Sequence, residues 1–161
     1  MKIIKELIPY LVIILVVVTI RTFIVTPIIV EGESMHPTLE GGELMLLKKY
    51  DTSYERYDIV VVNKSVEGDN LIKRVIGLPG ETIRYKNGNL YINGKIIKDN
   101  YAHGETGNFQ EIVLGKDEYF LMGDNREVSL DSRALGVIKN SEIEGTVGIV
   151  LFPFTKFGKV N

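Results

Sequence analysis

The order of apolar and polar positions divides the chain into one long apolar segment and a series of shorter runs. Residues 7–20 carry no charge, and extending the run over residues 3–25 gives the roughly 20 residues that a bilayer-spanning helix needs. Lys5 and Arg21 flank the run and can extend to the membrane interface. Because Ile and Val occupy every helical face, no amphipathic stripe favours a buried core helix. We therefore predict a cytoplasmic N-terminus and transmembrane anchor over residues 1–25.

A cleavable signal peptide is the alternative for this segment, since its apolar core can have the same length. Such a peptide would end in a small-x-small cleavage pattern, whereas this chain continues Arg21-Thr-Phe-Ile-Val-Thr-Pro27. Lys2 and Lys5 outweigh Arg21, so the positive-inside rule keeps the N-terminus in the cytoplasm. Residues 26–161 are then predicted to lie on the outer face of the plasma membrane after a single pass.

From residue 26 onward, short apolar or alternating runs separated by turn residues predict a mainly β fold. Asn87-Gly88 and Asn93-Gly94 lie between short alternating runs and predict a meander of tight hairpins. Residues 66–70 and the polar segment 99–110 are predicted to be loops, the second of them mobile. Strands are predicted at 44–48, 58–63, 71–77, 82–85, 90–92, 95–97, 111–114, 118–122 and within 145–154. The apolar run in 58–63 predicts a strand that is buried on both faces.

Composition excludes several classes of function. The 161 residues allow one moderate core, and a net charge of −2 does not support a nucleic-acid-binding surface. The absence of cysteine excludes disulfides, thiol catalysis and cysteine-based metal sites. His36 and His103 are too few for a histidine-rich metal site. No cofactor and no metal are predicted.

Two distant segments offer a nucleophile and a base. Ser34 ends an apolar extended run just before a proline-containing turn, and Lys73 lies within the apolar segment 71–76. A serine hydroxyl becomes an effective nucleophile when a neutral lysine amine beside it acts as a base. The lysine pKa of about 10.4 must fall by roughly two to three units for that role. Desolvation by the apolar neighbours of Lys73 is a plausible source of the shift.

A third segment, 123–133, follows a predicted strand and contains two aspartates, two arginines and two serines. A charged loop of this kind is usually a solvated turn, but paired Asp and Arg side chains can also fix the shape of a loop. A serine hydroxyl in such a loop could hydrogen-bond to a lysine amine and hold it toward a nucleophile.

Three motifs together resemble the signature segments of bacterial type I signal peptidases, in their compact single-anchor form. They are Ser34-Met35-His36-Pro37-Thr38-Leu39, Lys73-Arg74-Val75-Ile76-Gly77-Leu78-Pro79-Gly80, and Gly123-Asp124-Asn125-Arg126 through Asp131-Ser132-Arg133. They occur in the family's order and span most of the predicted exported part. The resemblance implies a β-rich serine peptidase domain over residues 26–161 that removes signal peptides from exported proteins.

The resemblance also implies roles for the first two motifs. Ser34 would attack the scissile carbonyl, and Lys73 would serve as general base and then protonate the departing amine. The Ser34 N–H would help to form the oxyanion hole. Some members of the family carry a serine as second oxyanion donor where this chain has Gly32, so the second donor stays unassigned.

For the third motif, the resemblance implies that Ser129 hydrogen-bonds to the catalytic lysine and orients it. Asp131 would pair with Arg126 and Arg133 and thereby shape the loop.

The substrate implied by the resemblance is a signal peptide whose extended cleavage region pairs with the backbone of 29–32 and 70–72. Shallow apolar pockets would admit small side chains only, giving cleavage after small-x-small sequences. The implied partners are signal peptides and the lipid bilayer, with the protein translocation channel as a further candidate. The substrate-binding residues would be Ile29, Val30, Gly32, Met35, Leu39, Leu71 and Ile72.

Three other interpretations remain open from the residues alone. His36 lies two residues after Ser34, so a Ser-His-Asp triad must be considered, although the turn at Pro37 makes its geometry unfavourable. Self-cleaving repressor-type Ser-Lys proteases have a related β fold, but they carry a DNA-binding domain where this chain has an apolar segment. A membrane-tethered module that binds peptides without cutting them is the third.

Overall fold

A computed structural model describes residues 2–66 and 69–160, with the side chains of residues 2–5, 64–66 and 69 outside the description. In chain order, the elements are α1 (Lys2–Phe23), β1 (Val25–Ile29), β2 (Leu44–Lys48), β3 (Ile59–Val66), β4 (Asp69–Gly77), β5 (Thr82–Lys86), β6 (Asn89–Ile92), β7 (Lys95–Ile97), β8 (Phe109–Val113), β9 (Glu118–Met122), α2 (Ser132–Leu135), β10 (Ile138–Lys139), β11 (Ile143–Phe152) and β12 (Gly158–Lys159). Short 3₁₀ helices lie at Asn140–Glu142 and Phe154–Lys156. The mainly β class predicted from the sequence is confirmed.

The predicted apolar segment forms one helix, α1. Its 22 residues correspond to about 33 Å at 1.5 Å per residue, which matches the hydrocarbon thickness of a bilayer. Among the described residues, α1 is the one helix long and apolar enough to span a membrane, and none of the residues 6–23 is buried against the rest of the protein. The predicted interfacial placement of the Lys5 side chain lies outside the described part.

The larger sheet has the strand order β1-β2-β11-β3-β4-β9-β10, with β12 paired to β11. Alternation of side chains along β3 explains its apolar run. Ile59 and Val61 face one core cluster, whereas Val60 and Val62 face a second one. The prediction that this strand is buried on both faces is therefore confirmed.

The smaller sheet has the order β7-β6-β5-β8. Asn87 and Gly88 have φ of 51° and 77°, and Asn93 and Gly94 have φ of 51° and 75°. Two consecutive residues with positive φ are typical of the type I′ turns that close two-residue hairpins. The predicted meander is confirmed, and a third core cluster that includes Ile76 joins it to the larger sheet.

The loop predicted at 66–70 differs from the structure. β3 extends to Val66 and β4 starts at Asp69, so the predicted loop 66–70 is shorter, and its residues 67–68 lie outside the described residues. The loop predicted at 99–110 ends where β8 begins at Phe109, and its mobility stays a prediction. Segment 99–110 is attached to the third motif, because His103 N–H donates to the Asp124 carbonyl at 2.8 Å and Arg126 N–H donates to the His103 carbonyl at 2.8 Å.

Candidate active site

Ser34 lies in a loop, residues 31–42, which we call the serine loop. Its base is closed by the Val30 N–H, which donates to the Glu43 carbonyl at 2.8 Å. Within the loop, Met35 and Leu39 point into the core, and Leu39 N–H donates to the Met35 carbonyl at 3.0 Å. Two buried apolar side chains therefore fix the loop while Ser34 stays accessible at the surface.

Lys73 is brought to this serine by β4. Its side-chain nitrogen lies 2.7 Å from Ser34 Oγ and also donates to the Ile72 carbonyl at 3.0 Å. The residue is 4% exposed, and burial lowers the pKa of Lys73 to about 8, against the opposing effect of the Asp131 and Asp124 carboxylates. Removing an ammonium from water favours the neutral amine, so the site holds a partly deprotonated base beside a hydroxyl.

A buried ion pair connects the three motifs. Arg74 donates from Nε to Asp124 Oδ1 at 2.8 Å and from Nη2 to Asp124 Oδ2 at 2.7 Å, and both side chains are 1% exposed. Thr38, in the serine loop, donates its hydroxyl to Asp124 Oδ2 at 2.5 Å. Asn125 N–H donates to the Ser34 carbonyl at 3.0 Å. The serine loop, the lysine strand and the third motif are thus tied together directly behind the serine–lysine contact.

The third motif is shaped by Asp131. Arg133 donates to its two oxygens from Nε and Nη2, each at 2.8 Å, and Gly123 N–H donates to Oδ2 at 3.0 Å. Burial opposes ionisation of Asp131, but these hydrogen bonds outweigh it and hold the pKa of the carboxyl below its ordinary value. Arg126 differs from expectation, because its partner is Asp99 at 2.6 Å rather than Asp131. The motif's own sequence gave no indication of a partner 27 positions earlier.

Ser129 also differs from expectation. Its buried Oγ lies beside the Asp131 carboxylate and helps to lower the pKa of that group, whereas the Lys73 amine bonds to Ser34 and to the Ile72 carbonyl. The hydroxyl lies against Gly123, where a Cβ would overlap both Ser129 Oγ and the Ser34 carbonyl oxygen. Gly123 therefore permits the close approach of the third motif to the serine loop.

A cleft of about 670 Å³ runs from Ser34 between residues 27–32 and residues 70–73. The sheet order leaves β1 at an edge, and β9 pairs with β4 from Arg74 to Gly77 only. Backbone groups on both walls are therefore available to an added strand. Of the predicted substrate-binding residues, Ile29, Gly32, Leu71 and Ile72 line this cleft. Val30, Met35 and Leu39 do not line it, because they are buried in the core below.

Gly32 adopts a φ of 75°. This left-handed backbone conformation favours glycine, so a serine would be strained at this position.

Named relatives align with most of this chain. Residues 3–152 match the family described as "Signal peptidase, peptidase S26". The chain belongs to this family. A signal peptidase I P from Bacillus subtilis subsp. natto is 42% identical over 161 residues, covering 91% of this chain and 87% of the relative. A signal peptidase I from Bacillus caldolyticus is 41% identical over 167 residues, covering 92% and 91%.

A solved structure gives the same result for the fold. The crystal structure of a signal peptidase I from Enterococcus faecalis V583 is 34% identical, with a TM-score of 0.52, and the match covers 58% of this chain and 96% of that one. As a member of the peptidase S26 family, the chain is a serine peptidase of the signal peptidase type. Its apolar N-terminal helix fits a membrane-anchored member of the family.

Sequence reasoning had assigned no role to Thr38, Arg74, Asp124 or Asp99. The sequence did contain one signal of a buried ion pair, because an arginine inside an apolar strand, as Arg74 is, needs a buried acidic partner. The identity of that partner depends on the tertiary fold. The competing histidine, His36, is exposed and makes no side-chain hydrogen bond to Ser34 among the described residues.

Proposed function

We propose that Ser34 and Lys73 form the catalytic dyad of this signal peptidase. The observation that carries the proposal is the 2.7 Å contact between Ser34 Oγ and an amine whose pKa burial lowers to about 8. At that pKa, about one tenth of the lysine is neutral at pH 7 and half of it at pH 8. General bases work best when their pKa lies near the operating pH.

The reaction follows from this contact. The neutral Lys73 amine accepts the Ser34 proton as Oγ attacks the scissile carbonyl, and the resulting ammonium returns that proton to the departing amine of the mature protein. Lys73 then deprotonates a water molecule, which releases the signal peptide from Ser34. The Ser34 N–H is proposed to donate to the developing oxyanion, an interaction whose removal typically costs about 3 kcal/mol in related enzymes.

The substrate is proposed to bind in the cleft as an added strand between residues 29–32 and residues 70–72. Ile72, which lines the cleft, packs against the core cluster that contains Val30, Met35 and Leu39. The cleft therefore cannot deepen toward that core without disturbing close packing. A shallow cleft supports the proposed preference for small side chains, and hence for small-x-small cleavage sequences.

The anchor is proposed to hold this cleft at the outer surface of the plasma membrane. Residues 1–25 would be the cytoplasmic N-terminus and transmembrane segment, and residues 26–161 the exported peptidase domain. Lys2 and Lys5 at one end, against Arg21 at the other, support a cytoplasmic N-terminus. A substrate held by its own apolar helix in the same bilayer would then present its cleavage region to Ser34, close to the translocation channel that delivers it.

Cleavage of a signal-peptide substrate tests the dyad, with the new N-terminus of the product sequenced. Ser34→Ala and Lys73→Ala should each lose activity by at least about a thousandfold, while His36→Ala should retain it. In the wild type, kcat/KM should rise with pH through about 8, because the lysine must lose its proton.

Two results would contradict the proposal. One is a pH profile of kcat/KM that follows an ordinary histidine pKa, together with loss of activity in His36→Ala. This result would favour the Ser-His-Asp triad. The other is binding of the peptide without cleavage by the wild type, which would favour the binding module.

A further inference from the structure

The C-terminal segment reaches back to the base of the serine loop. Lys156 Nζ lies 2.8 Å from Glu40 Oε2 and 2.8 Å from Glu43 Oε1. Glu40 lies within the serine loop, and Glu43 accepts the backbone hydrogen bond from Val30 that closes its base. We propose that Lys156 is a positioning residue, which holds the serine loop so that Ser34 stays in line with Lys73.

The bridge differs from an ordinary surface ion pair because Glu43 is buried. This residue is 3% exposed, and its Oε2 has no hydrogen-bond partner among the described residues. A buried carboxylate is strongly destabilising unless a cation pairs with it, and Lys156 is its cation in the described part of the chain. The Lys156 contact also holds the pKa of Glu40 below its ordinary value.

Lys156 is well placed to act as a fixed support. It ends the 3₁₀ helix Phe154–Lys156, and its N–H donates to the Pro153 carbonyl at 2.9 Å. On one side of this helix, Phe152 of β11 pairs with Leu44 of β2. On the other side, the Val160 N–H donates to the Gly148 carbonyl at 3.0 Å. The backbone on both sides of Lys156 is therefore bound to the larger sheet, and its side chain, 39% exposed, reaches the two glutamates from this fixed segment.

The consequence for catalysis rests on the proposed role of Ser34 as nucleophile. Without Lys156, the buried Glu43 carboxylate would move toward water and take the adjoining base of the serine loop with it. The cleft wall formed by residues 70–72 belongs to β4 and would keep its position. Loss of the bridge should therefore lower kcat, since displacement of a nucleophile by about 1 Å can reduce rate a hundredfold. KM should change less, because of the two cleft walls only the one formed by residues 29–32 adjoins the displaced loop.

The experiment measures kcat and KM of the full chain in detergent on a signal-peptide substrate. Lys156→Met should lower kcat by about tenfold or more, with a smaller change in KM, and Lys156→Arg should restore most of the loss. The double variant Glu43→Gln with Lys156→Met should also regain activity, because a neutral amide needs no cation. Lys159→Met is the matched control, since this exposed lysine of the same segment makes no ion pair with a described residue.

Three outcomes would overturn the inference. They are a kcat for Lys156→Met within twofold of the wild type, a loss confined to KM, and a double variant as impaired as Lys156→Met alone. The comparison with the double variant remains informative even if Lys156→Met folds poorly. Recovery of activity in the double variant would depend specifically on removing the charge of Glu43. Retained cleavage in Ser34→Ala would instead refute the proposed function, so the two failures are distinguishable.

Discussion

Replacing Lys73, the proposed general base, by methionine should abolish activity and remove the pH-dependent cost of burying an ammonium. Burial lowers the pKa of Lys73 from 10.5 to about 8, and each pKa unit corresponds to about 1.4 kcal/mol. At pH 7 the folded state therefore carries an ammonium that is disfavoured by about 3 kcal/mol relative to the unfolded chain. Because the residue is 4% exposed, this value needs little correction for solvent screening.

The gain from removing this ammonium is offset by lost contacts. Methionine cannot replace the hydrogen bonds of Lys73 to Ser34 and to the Ile72 carbonyl, and hydrogen bonds of a charged group contribute about 1.5–3 kcal/mol each. Methionine has a similar unbranched shape, so little is lost in packing. At pH 7 these losses are about as large as the gain, so the expected signature of Lys73→Met is the pH dependence of its stability relative to the wild type.

The pH dependence of the free energy of unfolding tests whether desolvation of Lys73 is the cause. Between about pH 8 and 10.5 the folded lysine is neutral while the unfolded lysine is still protonated, so wild-type stability rises with pH in this window. The free energy of unfolding of the variant, relative to that of the wild type, should therefore fall by about 2 kcal/mol between pH 7 and pH 9.5.

Unfolding of the full chain in non-ionic detergent, followed by far-UV circular dichroism, measures this difference. The chain has no tryptophan, so tryptophan fluorescence cannot serve as the probe. Lys159→Met, at an exposed position, should show no such pH dependence. A Lys73→Met variant whose stability relative to the wild type stays constant or rises between pH 7 and pH 9.5 would refute the assignment of a desolvated lysine.

Two further substitutions test the contacts around the dyad. Arg74→Met leaves Asp124 buried without its cation, and should lower the free energy of unfolding by about 3–5 kcal/mol in the same assay; a loss below 1 kcal/mol would contradict this. Gly123→Ala places a Cβ against the Ser34 carbonyl oxygen, and should reduce kcat by about a hundredfold. Gly107→Ala, where a Cβ meets no atom within 4 Å, is its control, and equal activity of the two variants would contradict the steric argument.

Local sequence signals predicted much of the sheet structure. The Asn-Gly pairs predicted both hairpins of the meander, because residues with positive φ are required there and few residue types adopt it. The strands 44–48 and 118–122 have the predicted bounds. The shorter loop between β3 and β4 was not predicted, because polar residues that pair across a hairpin have no apolar pattern to reveal them.

The candidate site was less accessible to local reasoning. Ser34 and Lys73 are 39 positions apart, and it was the resemblance to a family that brought them together, since neither residue type is distinctive alone. The partners of Asp124 lie 50 and 86 positions away in the chain. Because sequence patterns specify the burial of a side chain but not its partner, the ion pairs could be found only from the fold.

The ion pairs near Ser34 and Lys73 bear on how the buried lysine can remain partly neutral. Asp131 and Asp124 both lie close enough to raise the pKa of Lys73, against the effect of burial. Each carboxylate is paired with an arginine, Arg133 for Asp131 and Arg74 for Asp124. An arginine that neutralises a carboxylate weakens its attraction for a nearby ammonium. The arginines of the second and third motifs therefore do more than fix the shape of the loop: they limit how far the two carboxylates raise the pKa of Lys73.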